Sequence, residues 1–221
     1  MGTQSIAGAE PPSRAATLAL VGGALCLDFA NTSSGRGTPL RQEHLRRVEH
    51  LLAWAVHAGM LDADGQRALA AAARNAPALA DETVARALSL REAIYGLFRA
   101  AVGGAPPPEA SLAIFNAALS EGMAAAALRP DATGGFTWGW SPVANSAAEL
   151  LWPIAHSALR LLTGRELGRV KLCPGHGCGW LFLDRTRNGR RRWCEMEVCG
   201  SRAKMRRYHQ RRRLAAAGDG P

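Results

Sequence analysis

A chain of 221 residues, 48% hydrophobic and 20% charged, is long enough to bury a sizeable core and has the composition of a globular protein. No apolar run approaches the roughly 20 residues that span a bilayer, so no membrane segment is expected. The net charge of +9 is unevenly divided: residues 163–221 hold 15 Lys/Arg against 5 Asp/Glu, and residues 1–162 hold 12 against 13. Almost all the excess basicity lies toward the C-terminus, a distribution suited to a polyanionic partner.

Residues 1–16, with Pro11-Pro12, have the composition of a disordered leader. Arg14 and the apolar run after it superficially resemble a secretion signal. However, Asp28 and Asn31 follow at once, no small-residue cleavage site stands out, and Leu25 before Cys26 does not suit a lipoprotein. A cytoplasmic, thiol-reducing location is expected. The segment from Leu18 to Thr32 fits either a short strand or a buried helix. Asp28, Asn31 and Thr32 are polar groups within it that need partners if buried. They are candidates for binding a small-molecule effector, or they cap a helix and satisfy nearby backbone.

After a polar loop through residues 33–37, apolar residues at 45, 48, 51, 52 and 56 predict an amphipathic helix from Glu43 to His57, closed by Gly59. A second helix is expected over 66–75, capped by Asp62 or Asp64 and stopped by Pro77. A third, over 81–102, carries the stripe Val84, Leu88, Arg91, Ile94, Tyr95 and Phe98. A fourth covers 109–126. Asp131 to Gly135 is turn chemistry, and Phe136 to Trp140 suits a strand or hairpin. A fifth helix is expected over 144–162, with Pro153 placed to kink it. The fold class is therefore α+β: a mainly helical part over 17–163 with a small β element, then a cysteine-rich module.

That module, over 168–214, holds Cys173, Cys178, Cys194 and Cys199. Each pair encloses four residues and fifteen separate the pairs, the inventory and spacing of a structural zinc site. Disulfides would use the same residues but belong to exported domains. His176 and His209 are nearby alternative ligands, although four thiolates already close a tetrahedral site. Cys26 is remote and suits a small buried residue. The knuckle 173–178 leads to a strand at 179–183, and Asn188-Gly189 predicts a hairpin returning through 190–193. A helix then follows over 202–217. Knuckle, hairpin and a helix that starts at the last ligand form the layout of a treble-clef zinc finger. So small a module depends on its metal, and Trp180 and Trp193 are its expected core. Residues 215–221 are expected to form a flexible tail.

Cys173 to Arg202, with Gly-Trp-Leu-Phe-Leu-Asp, Arg-Asn, Arg-Arg-Trp-Cys and Cys-Gly-Ser-Arg, resembles the CGNR zinc finger. Leu25-Cys-Leu-Asp-Phe-Ala-Asn-Thr32 is similar to the opening motif of the ABATE domain that usually precedes it. The resemblance implies a bacterial protein of a class described as stress-induced transcription regulators, with all four cysteines as zinc ligands. The Asn that gives the finger its name is Ser201 here; either residue suits a helix cap.

Arg202, Lys204, Arg206, Arg207, Arg211, Arg212 and Arg213 ring the final helix, and Arg185, Arg187, Arg190, Arg191 and Arg192 cluster at the turn, with no acid from Gly200 to Leu214. Such density suits phosphate contacts, with duplex DNA the expected partner. RNA or protein binding by the same surface, and a ligand-binding protein whose finger is purely structural, are the alternatives. The chain shows no P-loop, Rossmann glycine fingerprint, zinc-protease helix or nucleophile elbow, so no enzyme is expected. A lone finger covers little DNA, which points to a homodimer or other partner.

Overall fold

The computed structural model describes residues 13–36, 38–39, 41–141 and 144–218. The expected leader therefore lies outside the described residues as far as residue 12. From Ser13 onward the chain is built in: the Ser13 hydroxyl donates to the His44 carbonyl at 2.8 Å, and Ala15–Thr17 form a 3-10 turn with Ala15 buried.

The ambiguous apolar segment is a helix, α1 (Leu25–Ala30), with Cys26, Leu27, Phe29 and Ala30 all buried. Two residues later Ser33–Ser34 (β1) pair antiparallel with Gln42–Glu43 (β2). The amphipathic helix expected from Glu43 begins later, as α2 (Val48–His57). Glu43 is drawn into the β pair because its carboxylate receives both Arg91 guanidinium N–H groups at 2.6 Å. Arg91, 1% exposed, is a charge on a core stripe, which only such pairing makes tolerable.

Asp62 caps α3 (Ala63–Asn75) through the Gly65 N–H at 2.7 Å. Pro77 does more than stop that helix. It occupies the first turn of α4 (Pro77–Gly103), where a missing N–H costs nothing, so α4 starts four residues earlier than expected. This 27-residue helix is the spine of the fold, packing against α1, α2, α3, α5 (Glu109–Ala125) and α6 (Leu151–Leu162). Between α5 and α6 a ribbon forms from β3 (Ala127–Pro130) and β4 (Phe136–Gly139), turned by residues 131–135. The fifth helix is split into a 3-10 turn over Ala147–Leu150 and then α6. Pro153 falls in the first turn of α6, where its missing N–H breaks no helical hydrogen bond.

The cysteine module does not stand apart. Its β5 (Val170–Leu172) pairs antiparallel with β6 (Leu181–Leu183), and all three β6 residues are buried. Leu181 and Leu183 join Val170 in the main core with α1, α4 and α6, while Phe182 points the other way to pack with Cys173, Cys194 and Cys199. Strand alternation thus places one layer of the helical core and one layer of the cysteine cluster on opposite faces of a single strand. Each fully buried large side chain contributes about 1.5–3 kcal/mol.

Asn31 fastens the joint. Its side-chain amide donates to the Leu181 carbonyl and accepts from the Leu181 N–H, both at 2.9 Å, so it acts as a strand neighbour to the free edge of β6. Leu183 N–H reaches the Gly22 carbonyl at 2.8 Å, Trp180 Nε1 the Ser33 carbonyl at 3.1 Å, and the Tyr95 hydroxyl the Gly179 carbonyl at 3.0 Å. The final helix, α7 (Ser201–Gly218), extends past the residue 214 limit expected for the module. Residues 215–218 of the expected tail are helical, and 219–221 lie outside the described residues.

Replacing Asn31 by Ala strands a buried N–H and a buried carbonyl of Leu181, at about 1–3 kcal/mol for each group left unpaired. Thermal unfolding of Asn31→Ala is expected to fall by roughly 5–10 °C in a chain of this size. A melting curve superimposed on that of the parent would refute the role given to this side chain.

Candidate metal centre and basic surface

The sulfurs of Cys173, Cys178, Cys194 and Cys199 all lie within 4.8 Å of one another, with Cys178 to Cys194 and Cys194 to Cys199 both at 3.6 Å. A tetrahedral zinc with bonds of about 2.3 Å requires sulfur–sulfur edges of about 3.8 Å, and the cluster fits this. The knuckle makes the fit possible. A Cβ at Gly175 would come within 3.0 Å of the Cys199 sulfur, and Gly177 adopts a φ of +70°, a conformation side chains disfavour. Of the second pair, Cys194 lies just before a π-helical turn, Met196–Gly200, which delivers Cys199 and runs directly into α7.

The four sulfurs also perturb one another's protonation. Hydrogen bonds from Cys178 and Cys194 hold the Cys173 thiol well below its ordinary value, while bonding to Cys173 raises Cys178 and Cys194, and burial raises Cys199. One thiolate forms readily and then opposes the next three, an arrangement that a divalent ion bound to all four reverses. Among the described residues the group holds cysteines only, and His176 and His209 are solvent-exposed. Cys26 is buried, with its thiol pushed up to about 12 by desolvation, and has no part in the site.

The hairpin of the module differs from expectation. Asn188-Gly189 does form a turn, with Gly189 N–H bonding the Thr186 carbonyl at 3.1 Å, but residues 190–193 do not pair with β6. A carboxylate takes the place of the ladder. Asp184, wholly buried, accepts from the Thr186 N–H at 3.0 Å, the Thr186 hydroxyl at 2.6 Å, the Arg191 N–H at 2.9 Å and Lys171 Nζ at 2.7 Å. Lys171 and Thr186 hold Asp184 well below the usual carboxylate range. Lys171 also donates to the Gly189 and Arg191 carbonyls at 2.5 and 3.1 Å, so this cation faces inward. The final Asp of Gly-Trp-Leu-Phe-Leu-Asp carried this signal in the sequence, although nothing marked Lys171 as its partner.

Arg191 belongs to the same framework. Its guanidinium donates to the carbonyls of Val21 at 2.9 Å, Trp193 at 3.1 Å, Leu183 at 3.3 Å and Cys194, and stacks over Phe182 at 4.6 Å. It is half-buried and has little left to offer an external ligand. Arg187, Arg190 and Arg192 are exposed around it, and exposed Arg185 lies 3.5 Å from Glu166. In α7, Arg202, Lys204, Arg206, Arg207, Arg211, Arg212 and Arg213 are all exposed, as are Met205 and Tyr208. Ser201 does not cap this helix. It already has helical geometry, and its hydroxyl donates back to the Met196 carbonyl at 3.4 Å. Trp180 and Trp193 border the cluster half-buried, and the fully buried aromatic there is Phe182.

The polar groups of α1 face this joint. Asn31 holds Leu181 as described, the Thr32 hydroxyl donates to the Phe29 carbonyl at 2.7 Å, and Asp28 accepts the Gly22 N–H at 2.7 Å. Burial lifts Asp28 to about 6 despite that bond and the nearby charges of His57 and Arg191. All three side chains are therefore engaged by the protein itself.

Four clustered thiols on a knuckle and a helical turn, joined to a strand and a basic helix, define a zinc-finger protein with one zinc site. Residues 169–212 match the CGNR zinc finger, and residues 23–165, more than half the chain, match the ABATE family, described as a "putative stress-induced transcription regulator". The chain belongs to the ABATE family, with a CGNR finger as its second element. Neither family is described as an enzyme, and no curated protein matches the sequence. Among the described residues no helix is long and apolar enough to cross a membrane.

Because β6 serves both faces, removing zinc should loosen more than the finger. Atomic absorption of the parent is expected to find one equivalent of zinc; Cys199→Ser, or chelation, should abolish it and also lower the helical melting temperature by at least about 5 °C. An unchanged helical melt after complete zinc loss would show that the two faces are energetically separate.

Asp28 gives a pH dependence of definite sign. Its folded pKa lies above the unfolded value of about 3.8, so the folded state holds the proton more tightly and this group's contribution is lost as pH rises from about 4 to about 6. Asp28→Asn keeps an acceptor for Gly22 and should flatten urea-denaturation stability across that window. A profile equal to the parent's would remove Asp28 as its source.

Proposed function

We propose that this protein is a zinc-dependent DNA-binding transcription regulator in which α7 and the 185–192 turn contact duplex DNA. The observation that carries this reading is α7 itself. It is a basic helix leading away from the zinc cluster, with every one of its seven Lys/Arg side chains exposed and its main contacts made to the π-helical turn before it. A helix with this many exposed cations gains little from burial, and clustered like charges oppose it further. Neutralisation by phosphate removes that opposition, and a helix of this width enters a major groove. With four thiolates on one Zn²⁺, residues 163–221 retain about +8, against −1 for the rest of the chain.

In this reading zinc supplies folding energy and fixes the start of α7, while Lys171, Asp184 and Arg191 shape the turn that presents Arg187, Arg190 and Arg192. The helical part serves as a sensor or interaction module in the cytoplasm. Its route to the finger runs through Asn31 and the buried strand β6. Asp28 and Thr32 act beside Asn31 as parts of that joint, so an effector would reach them only by opening it.

The test is a mobility or anisotropy titration of zinc-loaded protein with random-sequence duplex DNA over a salt series. Affinity should fall by at least about 100-fold between 50 and 200 mM salt. Arg207→Ala should weaken binding and leave the melt unchanged, whereas Arg191→Ala should lower the melt. Salt-indifferent affinity would overturn the proposal. Structured RNA competing better than duplex DNA at fixed salt would move the assignment to RNA.

A further inference from the structure

The β3–β4 ribbon projects from the helical part with an unusual surface. Leu128 and Trp138 lie directly opposite each other in the register, as do Pro130 and Phe136, so these four share one face. Leu128 is 64% exposed, Phe136 70% and Trp138 44%, and Met123 of the neighbouring α5 is 46% exposed. The ribbon is held firmly in place. Trp138 rests on Trp140 and His156, at ring-centroid distances of 5.5 and 4.9 Å, and Trp140 Nε1 donates to the Gly122 carbonyl at 2.7 Å. A two-stranded ribbon with an apolar face is not a self-sufficient sheet.

The two edges of the ribbon are not equivalent. Asp131 N–H bonds the Gly135 carbonyl at 3.0 Å, so alternation along an antiparallel ladder makes Arg129 and Thr137 the next mutually bonded pair. The backbone groups of Leu128 and Pro130 on one strand, and of Phe136 and Trp138 on the other, then point to the open edges. Pro130 has no N–H to offer, so β3 is guarded in the manner of natural edge strands. Strand β4 carries no proline and no charge, and its two outward-facing positions are the exposed aromatics.

We propose that β4 pairs antiparallel with β4 of a second copy of this chain, about a two-fold axis through Thr137, giving a four-stranded sheet. Phe136 and Trp138 of each copy would then exchange their outward N–H and carbonyl groups, a self-complementary set of four hydrogen bonds. On one face the two copies' Phe136 and Trp138 side chains become cross-strand neighbours, an arrangement favoured for aromatic pairs. Charge favours a second copy over an acidic or basic partner. Arg129 and Asp131 cancel within the ribbon, and residues 1–162 carry a net −1, so two copies meet here without the repulsion their basic fingers would impose. The exposed apolar surface is on the order of 400 Å² per copy, about half that of a standard interface, which places the contact among weak, reversible associations.

Sedimentation of the full zinc-loaded chain from about 1 to about 300 µM should show a monomer–dimer equilibrium. Phe136→Lys, at a position already mostly solvent-exposed, should raise the dissociation constant by ~100-fold with unchanged far-UV circular dichroism and zinc content. The axis predicts a second result that does not depend on equilibrium affinity. Thr137→Cys should oxidise to a covalent dimer, because its two Cβ atoms meet within disulfide reach, whereas Thr133→Cys in the adjoining turn should not. A monomer at every concentration overturns the proposal. So does a dimer that Phe136→Lys leaves intact, or Thr137→Cys cross-linking no better than Thr133→Cys.

Discussion

Three consecutive residues, Leu181 to Leu183, carry an unusual constraint: a strand too short to be stable alone is buried on both faces. One face needs the helices and the other needs the zinc cluster, so neither layer can be completed without the other. The remaining joints follow from this. Asn31 satisfies the free edge of the strand, Gly22 accepts from its far end, and Tyr95 and Trp180 anchor the segment that leads from the knuckle into the strand. Burial of the strand also explains why an Asn sits at the end of an otherwise apolar segment. A buried strand edge requires a donor and an acceptor side by side, and one carboxamide provides both.

Charge in the finger is sorted by depth. Lys171 and Arg191 are turned inward, where they donate to backbone carbonyls and to Asp184, half-buried Arg169 likewise donates to the Thr186 carbonyl, and the cations from Arg202 to Arg213 remain outside. Inward cations set the shape of the turn, and outward ones set the potential it projects. A sequence rich in arginine can therefore yield both a framework and a binding surface.

Much of this was legible from spacing. The cysteine quartet, the helix at 109–125, the Asp62 cap and the hairpin near 136 all follow from local chemistry. What was not legible depended on partners distant in sequence. Glu43 leaves the helix expected of it because Arg91, 48 residues away, captures its carboxylate. Residues 190–193 fail to form a strand because Asp184 bonds the Arg191 N–H first. Arg191 itself resembled its neighbours Arg190 and Arg192, and only the carbonyls gathered around it single it out. Asn31 and Leu181 lie 150 residues apart, and no periodicity connects them.

The shared strand also bears on modularity. The two family matches abut near residue 167, as though the finger were a cassette fitted behind a helical unit. Cut there, the finger would take Val170, Leu181 and Leu183 into water, and the helical unit would be left with a groove where they had packed. Transplanting this finger onto another carrier would thus require a receptor surface shaped for those three side chains and an amide placed as Asn31 is. Recombination between such proteins should preserve the two halves as a matched pair.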